Sequence, residues 1–179
     1  MKKVLLIAIL AVAGVSNAQD MKFGVKGGLN FANVTNTTDT SMRTAFHLGG
    51  FANIGVSDKF SVQPELIYSA QGVKSSSSTL ALDYLNIPVM AQFKVADQVS
   101  LEVGPQIGFL MSAKADSVDY KEYMKSTDFG LNFGGAYNID ENMSVGLRYN
   151  MGLSDTAKER SAGDATKNSV VQLSFGYSF

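Results

Sequence analysis

The chain offers few residue types able to do chemistry. It has one histidine, His47, and no cysteine, so nucleophilic or metal chemistry would have to come from hydroxyls, carboxylates and amines. Ser61, Ser69 and several carboxylates allow a Ser/His/Asp arrangement around His47 to be written. No nucleophile elbow supports it, so His47 is expected to be a satisfied interior residue and no catalytic residue is expected. The second constellation is ionic. Lys26, Glu65, Glu102, Asp128 and Arg148 stand within segments that otherwise alternate apolar and polar residues. Enclosed together they would form either an ion path or a self-neutralising structural network, and the network is expected because enclosed charges must pair. Gly27-Gly28 does not open a GxGxxG motif before a helix, which excludes the dinucleotide reading. Asp116, Asp119, Glu122, Asp155 and Asp164 could hold a divalent cation, but no spacing matches an EF-hand. No cofactor and no metal are expected. Fifteen Lys and Arg against sixteen Asp and Glu leave a net charge of −1, which excludes a nucleic-acid partner.

The elements that must position these residues are strands. Before them stands a different kind of segment: Met1-Lys2-Lys3, the apolar run Val4 to Val15, and the small residues Ser16-Asn17-Ala18. This predicts a signal peptide over residues 1–18, cleaved after Ala18, because a dozen apolar residues are too few to span a bilayer as a helix. Losing Lys2 and Lys3 shifts the net charge to −3. Residues 19–179 are then one exported domain.

Within that domain the hydrophobic period is two. Val171, Leu173, Phe175, Tyr177 and Phe179 alternate with Gln172, Ser174, Gly176 and Ser178. Successive strand side chains point to opposite faces, so such a segment has one oily and one polar side. The pattern recurs at Met143–Leu153, Phe129–Ile139, Val99–Met111, Leu85–Phe93, Phe60–Ala70, Phe46–Val56 and Phe23–Phe31, giving eight strands of about ten residues. Turns at 57–59, 95–98 and 140–142 alternate with long polar connections at 33–43, 72–83, 113–126 and 155–168. That is the arrangement of an up-and-down meander.

Charge decides which face is outside. All strand charges (Lys22, Lys26, Glu65, Lys94, Glu102, Asp128, Arg148) fall on the polar parity, and that parity is rich in glycine. A water-facing sheet should carry more charge, and glycine only weakens it. Inside an eight-stranded barrel, glycine leaves room for bulky neighbours. The polar parity is therefore expected inside and the apolar parity in lipid, with aromatics such as Phe23, Phe60, Tyr149 and Phe179 near strand ends as an interfacial girdle. The expected fold is all-β: an eight-stranded antiparallel up-and-down transmembrane barrel, closed because a bilayer tolerates no open edge. Its place is the outer membrane, with both ends of the mature chain and the short turns facing the periplasm. Pro64, Pro88 and Pro105 fall within strands and predict bulges there, and Phe51 and Leu110 break the parity.

The run Tyr84-Leu85-Asn86-Ile87-Pro88-Val89, the pair Gly104-Pro105, Arg148-Tyr149-Asn150 with Gly152-Leu153-Ser154, and the terminal Phe179 resemble the small outer-membrane β-barrels of Bacteroidetes, the porin-family or PorT-like barrels. The resemblance spans residues 19–179 and implies strand prolines as a family feature, with Phe179 as the signal read by the barrel-assembly machinery. Asp116-Ser117-Val118 and Asp155-Thr156-Ala157 resemble the short O-glycosylation triplet of such bacteria. The expected function is non-enzymatic: a barrel with a filled lumen, acting through its extracellular loops in adhesion, partner binding or envelope integrity. Outer-membrane lipid, lipopolysaccharide and an unidentified extracellular or envelope protein are the expected partners. A small porin-like channel is the first alternative and an outer-leaflet lipid-modifying enzyme the second.

Overall fold

Alternation in the sequence becomes eight staves of a closed barrel. The computed structural model describes residues 21–35, 40–75, 78–116, 118–158 and 165–179. The expected signal peptide, residues 1–18, lies outside the described residues. The strands are β1 (Met21–Val34), β2 (Thr40–Ser57), β3 (Phe60–Ser75), β4 (Thr79–Lys94), β5 (Val99–Ala115), the two-residue β6 (Val118–Asp119), β7 (Thr127–Asn138), β8 (Met143–Gly152) and β9 (Asn168–Ser178). Each stave pairs antiparallel with its neighbours in sequence, β5 with β7 across the short β6 excursion, and β1 pairs with β9 to close the ring. Closure leaves no edge with unpaired backbone groups, which is what a bilayer demands of strands.

The two faces divide as the alternation requires. Leu29, Leu48, Leu66, Leu101, Leu147 and Leu173 all lie on the outer surface and are about half exposed or more. An apolar surface of that extent is a lipid surface. Glu65, Glu102, Asp128, Arg148, Asn132 and Gln106 are buried inside. Phe51 and Leu110 do not disturb the alternation. Phe51 points inward, where its ring would meet a Cβ at Gly24, and Leu110 belongs to a buried cluster inside the barrel.

Two expectations are corrected. The eight staves run from 10 to 18 residues instead of about ten, because β2–β5 continue through segments expected as loops. The 72–83 connection is mostly ladder, with Lys74 still paired to Thr79, and 113–126 contains the Lys114↔Asp119 ribbon and a 3-10 turn over Lys121–Tyr123. Polar residues do not end these strands because the backbone ladder continues and inward residues such as Gln71, Leu82 and Ala113 are buried. At about 3.3 Å per residue, strands of this length rise well beyond an apolar band of about 25 Å. The prolines also produce no bulge. Register is kept from Pro64↔Val89 to Ile67↔Asn86 and from Pro88↔Gln106 to Ala91↔Val103, with the intervening pairs missing, while Pro105↔Leu131 sits in an unbroken ladder. A missing N–H opens the ladder locally without displacing it. The register shifts fall instead between Met42 and His47, between Gly55 and Ser57, and between Asp83 and Tyr84.

Candidate functional site

The lumen is divided at one layer of charge. Counting staves around the ring, Lys26 (β1), Glu65 (β3), Glu102 (β5) and Arg148 (β8) come from alternate strands, the way inward side chains of a sheared barrel reach one height. Arg148 is the hub. Its Nη1 and Nη2 donate to Glu65 Oε2 and Oε1 at 2.8 and 2.9 Å, and its Nε and Nη2 donate to Glu102 Oε1 and Oε2 at 2.7 and 3.1 Å. Both carboxylates are thus held by one planar fork, a geometry lysine could not reproduce. Lys26 Nζ donates to Glu65 Oε1 at 2.9 Å, and Gln63 Nε2 adds a further bond to the same oxygen at 2.8 Å. Two cations and two anions leave the layer neutral. The approach requires Gly134, where a Cβ would stand 2.9 Å from Glu102 Oε1 and 2.5 Å from the Leu147 carbonyl.

Asp128, expected in the same group, is not part of it. It lies six residues along β7 from the level of Arg148, roughly 20 Å of strand. Its carboxylate accepts from Ser154 Oγ at 2.6 Å and Asn168 Nδ2 at 3.0 Å, with no cation among those partners. Lys22 and Lys94 stand at the short-turn end beside the lumen mouth.

On the short-turn side of the charge layer the lumen is a cavity of about 530 Å³, lined by side chains including Asn53, Ser61, Gln92, Ser144 and Ser174, with Glu102 and Arg148 at its floor. On the other side it is filled. Asn30, Ser69, Asn132 and Asn168 are fully buried, and beyond them Leu82, Tyr84, Leu110 and Ala113 form an apolar cluster, with Leu80 and Met124 packed against it. The long connections close over this end: Lys125 N donates to Thr156 O, Lys158 N to Tyr123 O, and Met124 bridges to Ala157.

His47 bonds to neither serine expected near it. Its Nδ1 lies 2.8 Å from Asn30 Oδ1 and its Nε2 lies 2.9 Å from Ser174 Oγ. The register explains the pairing, because Gly28 stands between His47 and Ser174 in the ladder and has no side chain to block the ring. Ser69 is reached only through Asn30, whose Nδ2 donates to Ser69 Oγ at 2.9 Å, and Ser61 is bonded to Asn53. A barrel-closing pair separated by 127 residues has no local sequence signal.

The loop carboxylates serve turns. Asp119 Oδ1 accepts from the Lys121 amide, and Asp155 Oδ1 from the amides of Ala157 and Thr166. Asp164 lies outside the described residues. Thr156, in one of the two triplets, is 6% exposed and its hydroxyl donates to the Thr166 carbonyl, so that triplet is not open to a glycan. Ser117, in the other, lies outside the described residues. At the C-terminus Phe179 is 73% exposed, its amide bonded to the Phe23 carbonyl and its ring edge-on to Tyr177.

Several solved structures share the architecture. The attachment invasion locus protein Ail of Yersinia pestis superposes with a TM-score of 0.52 at 16% identity, covering 89% of this chain and 97% of that one. Neisserial surface protein A superposes with a TM-score of 0.55 at 13% identity over the same shares. At these identities the likeness concerns the fold. No curated protein sequence matches the chain. The model of the outer membrane protein beta-barrel domain matches residues 17–158, most of the chain. This is an outer-membrane protein spanning the membrane with eight strands, and the chain belongs to the outer membrane protein beta-barrel domain family.

Proposed function

We propose that the protein acts at the cell surface through the long-connection end of its barrel, in adhesion, partner binding or envelope integrity, with the lumen serving as a structural plug. The observation that carries this reading is the filled half of the lumen: neutral ion pairs, buried amides and then an apolar cluster stand between the cavity and the far end. A solute would have to displace all three layers. Meanwhile Val118, Tyr120 and Tyr123 are exposed on the connections at that end, beside the exposed Lys121. In this reading the short turns and both chain ends face the periplasm, as they do in barrels of this kind. Phe179 serves as the assembly signal, and the barrel is one of the small porin-family or PorT-like barrels of Bacteroidetes that its motifs resemble.

Two measurements test it together. The mature chain in planar bilayers should show no steady unitary conductance, and a cysteine at Tyr123 should react with an impermeant maleimide on whole cells while one at Asp58 should not. Steady current from the unmodified chain would make it a channel. Labelling at Asp58 but not at Tyr123 would place the working surface on the wrong side of the membrane.

A further inference from the structure

We propose that Ser174 is a base-activated nucleophile, acylated on Oγ by small activated carboxylic esters that enter the lumen cavity from the short-turn end. This goes beyond the cell-surface reading and does not depend on it. The argument starts from Asn30. Its Nδ2 faces the carbonyl oxygens of Ala70 at 2.7 Å and Phe46 at 3.2 Å, and carbonyls only accept. The amide orientation is therefore fixed, and Oδ1 is the atom turned to His47 Nδ1 and to Gln172 Nε2, the latter at 2.9 Å. An amide oxygen only accepts, so Nδ1 of His47 carries a proton. Both ring nitrogens meet neutral partners, an amide oxygen and a hydroxyl, and the residue is 2% exposed. In the neutral ring Nε2 then holds the lone pair, and the Ser174 hydroxyl donates to it across 2.9 Å.

That is the polarity a serine nucleophile needs: hydroxyl to base, with the base held in one tautomer by a third group. Asn30 is the positioning residue. The arrangement also has an inside and an outside. Ser174 lines the 530 Å³ cavity, whereas His47 lies behind it and Asn30 behind His47. In the reaction Oγ attacks the acyl carbon and its proton passes to His47 Nε2. The bond to the leaving oxygen breaks, the alcohol departs with that proton, and the acyl group remains as an ester on Ser174. Water adding to that ester by the same route releases the acid. Ser174 pairs with Gly28 on one side and Gly146 on the other, so its flanking amides belong to the ladder and form no oxyanion hole. Charge on the acyl oxygen would meet side-chain cations alone: Lys26 and Arg148, already paired with Glu65 and Glu102, and toward the mouth of the same cavity Lys22, Lys59 and Lys94. This restricts the substrate class to esters with good leaving groups and excludes amides.

The test uses the mature barrel in detergent micelles with 4-nitrophenyl acetate, reading nitrophenolate release and mapping the acetyl group by peptide mass spectrometry. Acetylation should concentrate on Ser174 and slow on acidification as the base is protonated. Ser174→Ala should abolish it, Ser169→Ala, whose hydroxyl meets Tyr149 outside the cavity, should leave it unchanged, and His47→Gln should slow it by about 10²–10⁴-fold, the usual span for general-base assistance. Acetyl groups confined to Ser61, Ser144 or the lysines would overturn the proposal, as would an unchanged rate in His47→Gln. Should His47→Gln not fold, the unmodified chain decides: a rate at Ser174 that does not fall with acid rejects the base.

Discussion

The two halves of this lumen solve the same problem by different means. On the short-turn side, Asn53 Nδ2 stands near Ser61, Gln63 and Gln92 beside an open cavity, so water can complete whatever these groups leave unpaired. On the far side, Asn150 Nδ2 donates to Asn132 Oδ1 and Asn132 Nδ2 to Gln106 Oε1 among buried groups, with Leu82, Tyr84 and Leu110 above them. The two buried side-chain oxygens without a partner among the described residues, Gln71 Oε1 and Asn150 Oδ1, both lie in the far half, away from the cavity, where an unpaired group costs more. The charge layer of Arg148 separates the two halves, which makes it a floor for one half and the base of a plug for the other.

The largest effect expected is at that boundary. Arg148→Ala removes the donor held by Glu65 and Glu102, leaving Glu65 with Lys26 and Glu102 without a cation. Breaking a buried pair from one side costs about 3–5 kcal/mol, and the nearby cavity water will place the result toward the lower end. Urea unfolding in lipid vesicles reads this loss. Conductance should remain absent, because the amides and the apolar cluster are untouched. A steady current in Arg148→Ala would show that the charge layer alone is the seal, and the two halves would then differ only in appearance.

Leu82→Ala tests the far half directly. Leu82 is 1% exposed, inside the barrel, and truncating such a side chain costs about 2–5 kcal/mol. The same unfolding measurement should show a loss within that range, and one below the lower bound would mean that the long-connection end is loosely packed. Seen from the sequence, this cluster was hidden. Leu82 falls in the segment expected as a loop, Tyr84 just before the expected strand, and Leu110 on the polar side of its strand, where alternation reports which way a side chain points without reporting what it meets. The eight strands and their faces were legible because each depends on period two and on the exclusion of charge from lipid. Pairings across the barrel were not. Shear decides which residues share a height, and it brings Arg148 to Glu65 and Glu102 while leaving Asp128 far along β7. The bond between His47 and Ser174 needs both barrel closure and a bare Gly28, neither visible locally. The reach of β2–β5 was missed because Ser- and Lys-rich segments read as loops although their backbones stay paired.

The smallest effect makes the cleanest comparison, since it uses the same substitution in both halves. Asn132→Ala would leave Gln106 and Asn150 without the partner they share, in a place water cannot reach. Asn150 Oδ1 already lacks a partner among the described residues, so its whole amide would then be unpaired by side chains. Stranding buried polar groups costs about 1–3 kcal/mol. Asn53→Ala also removes an amide with several partners, but Ser61, Gln63 and Gln92 can turn to cavity water, so the loss should stay near the net value of one hydrogen bond, about 0.5–1.5 kcal/mol. Urea midpoints for the two variants, measured in the same vesicles, should therefore differ, with Asn132→Ala the lower. The two substitutions delete identical atoms, so differences in side-chain volume and propensity cancel to first order and solvent access is what remains. Equal midpoints would mean that water reaches Asn132 past the charge layer, and the far half would then be hydrated rather than packed.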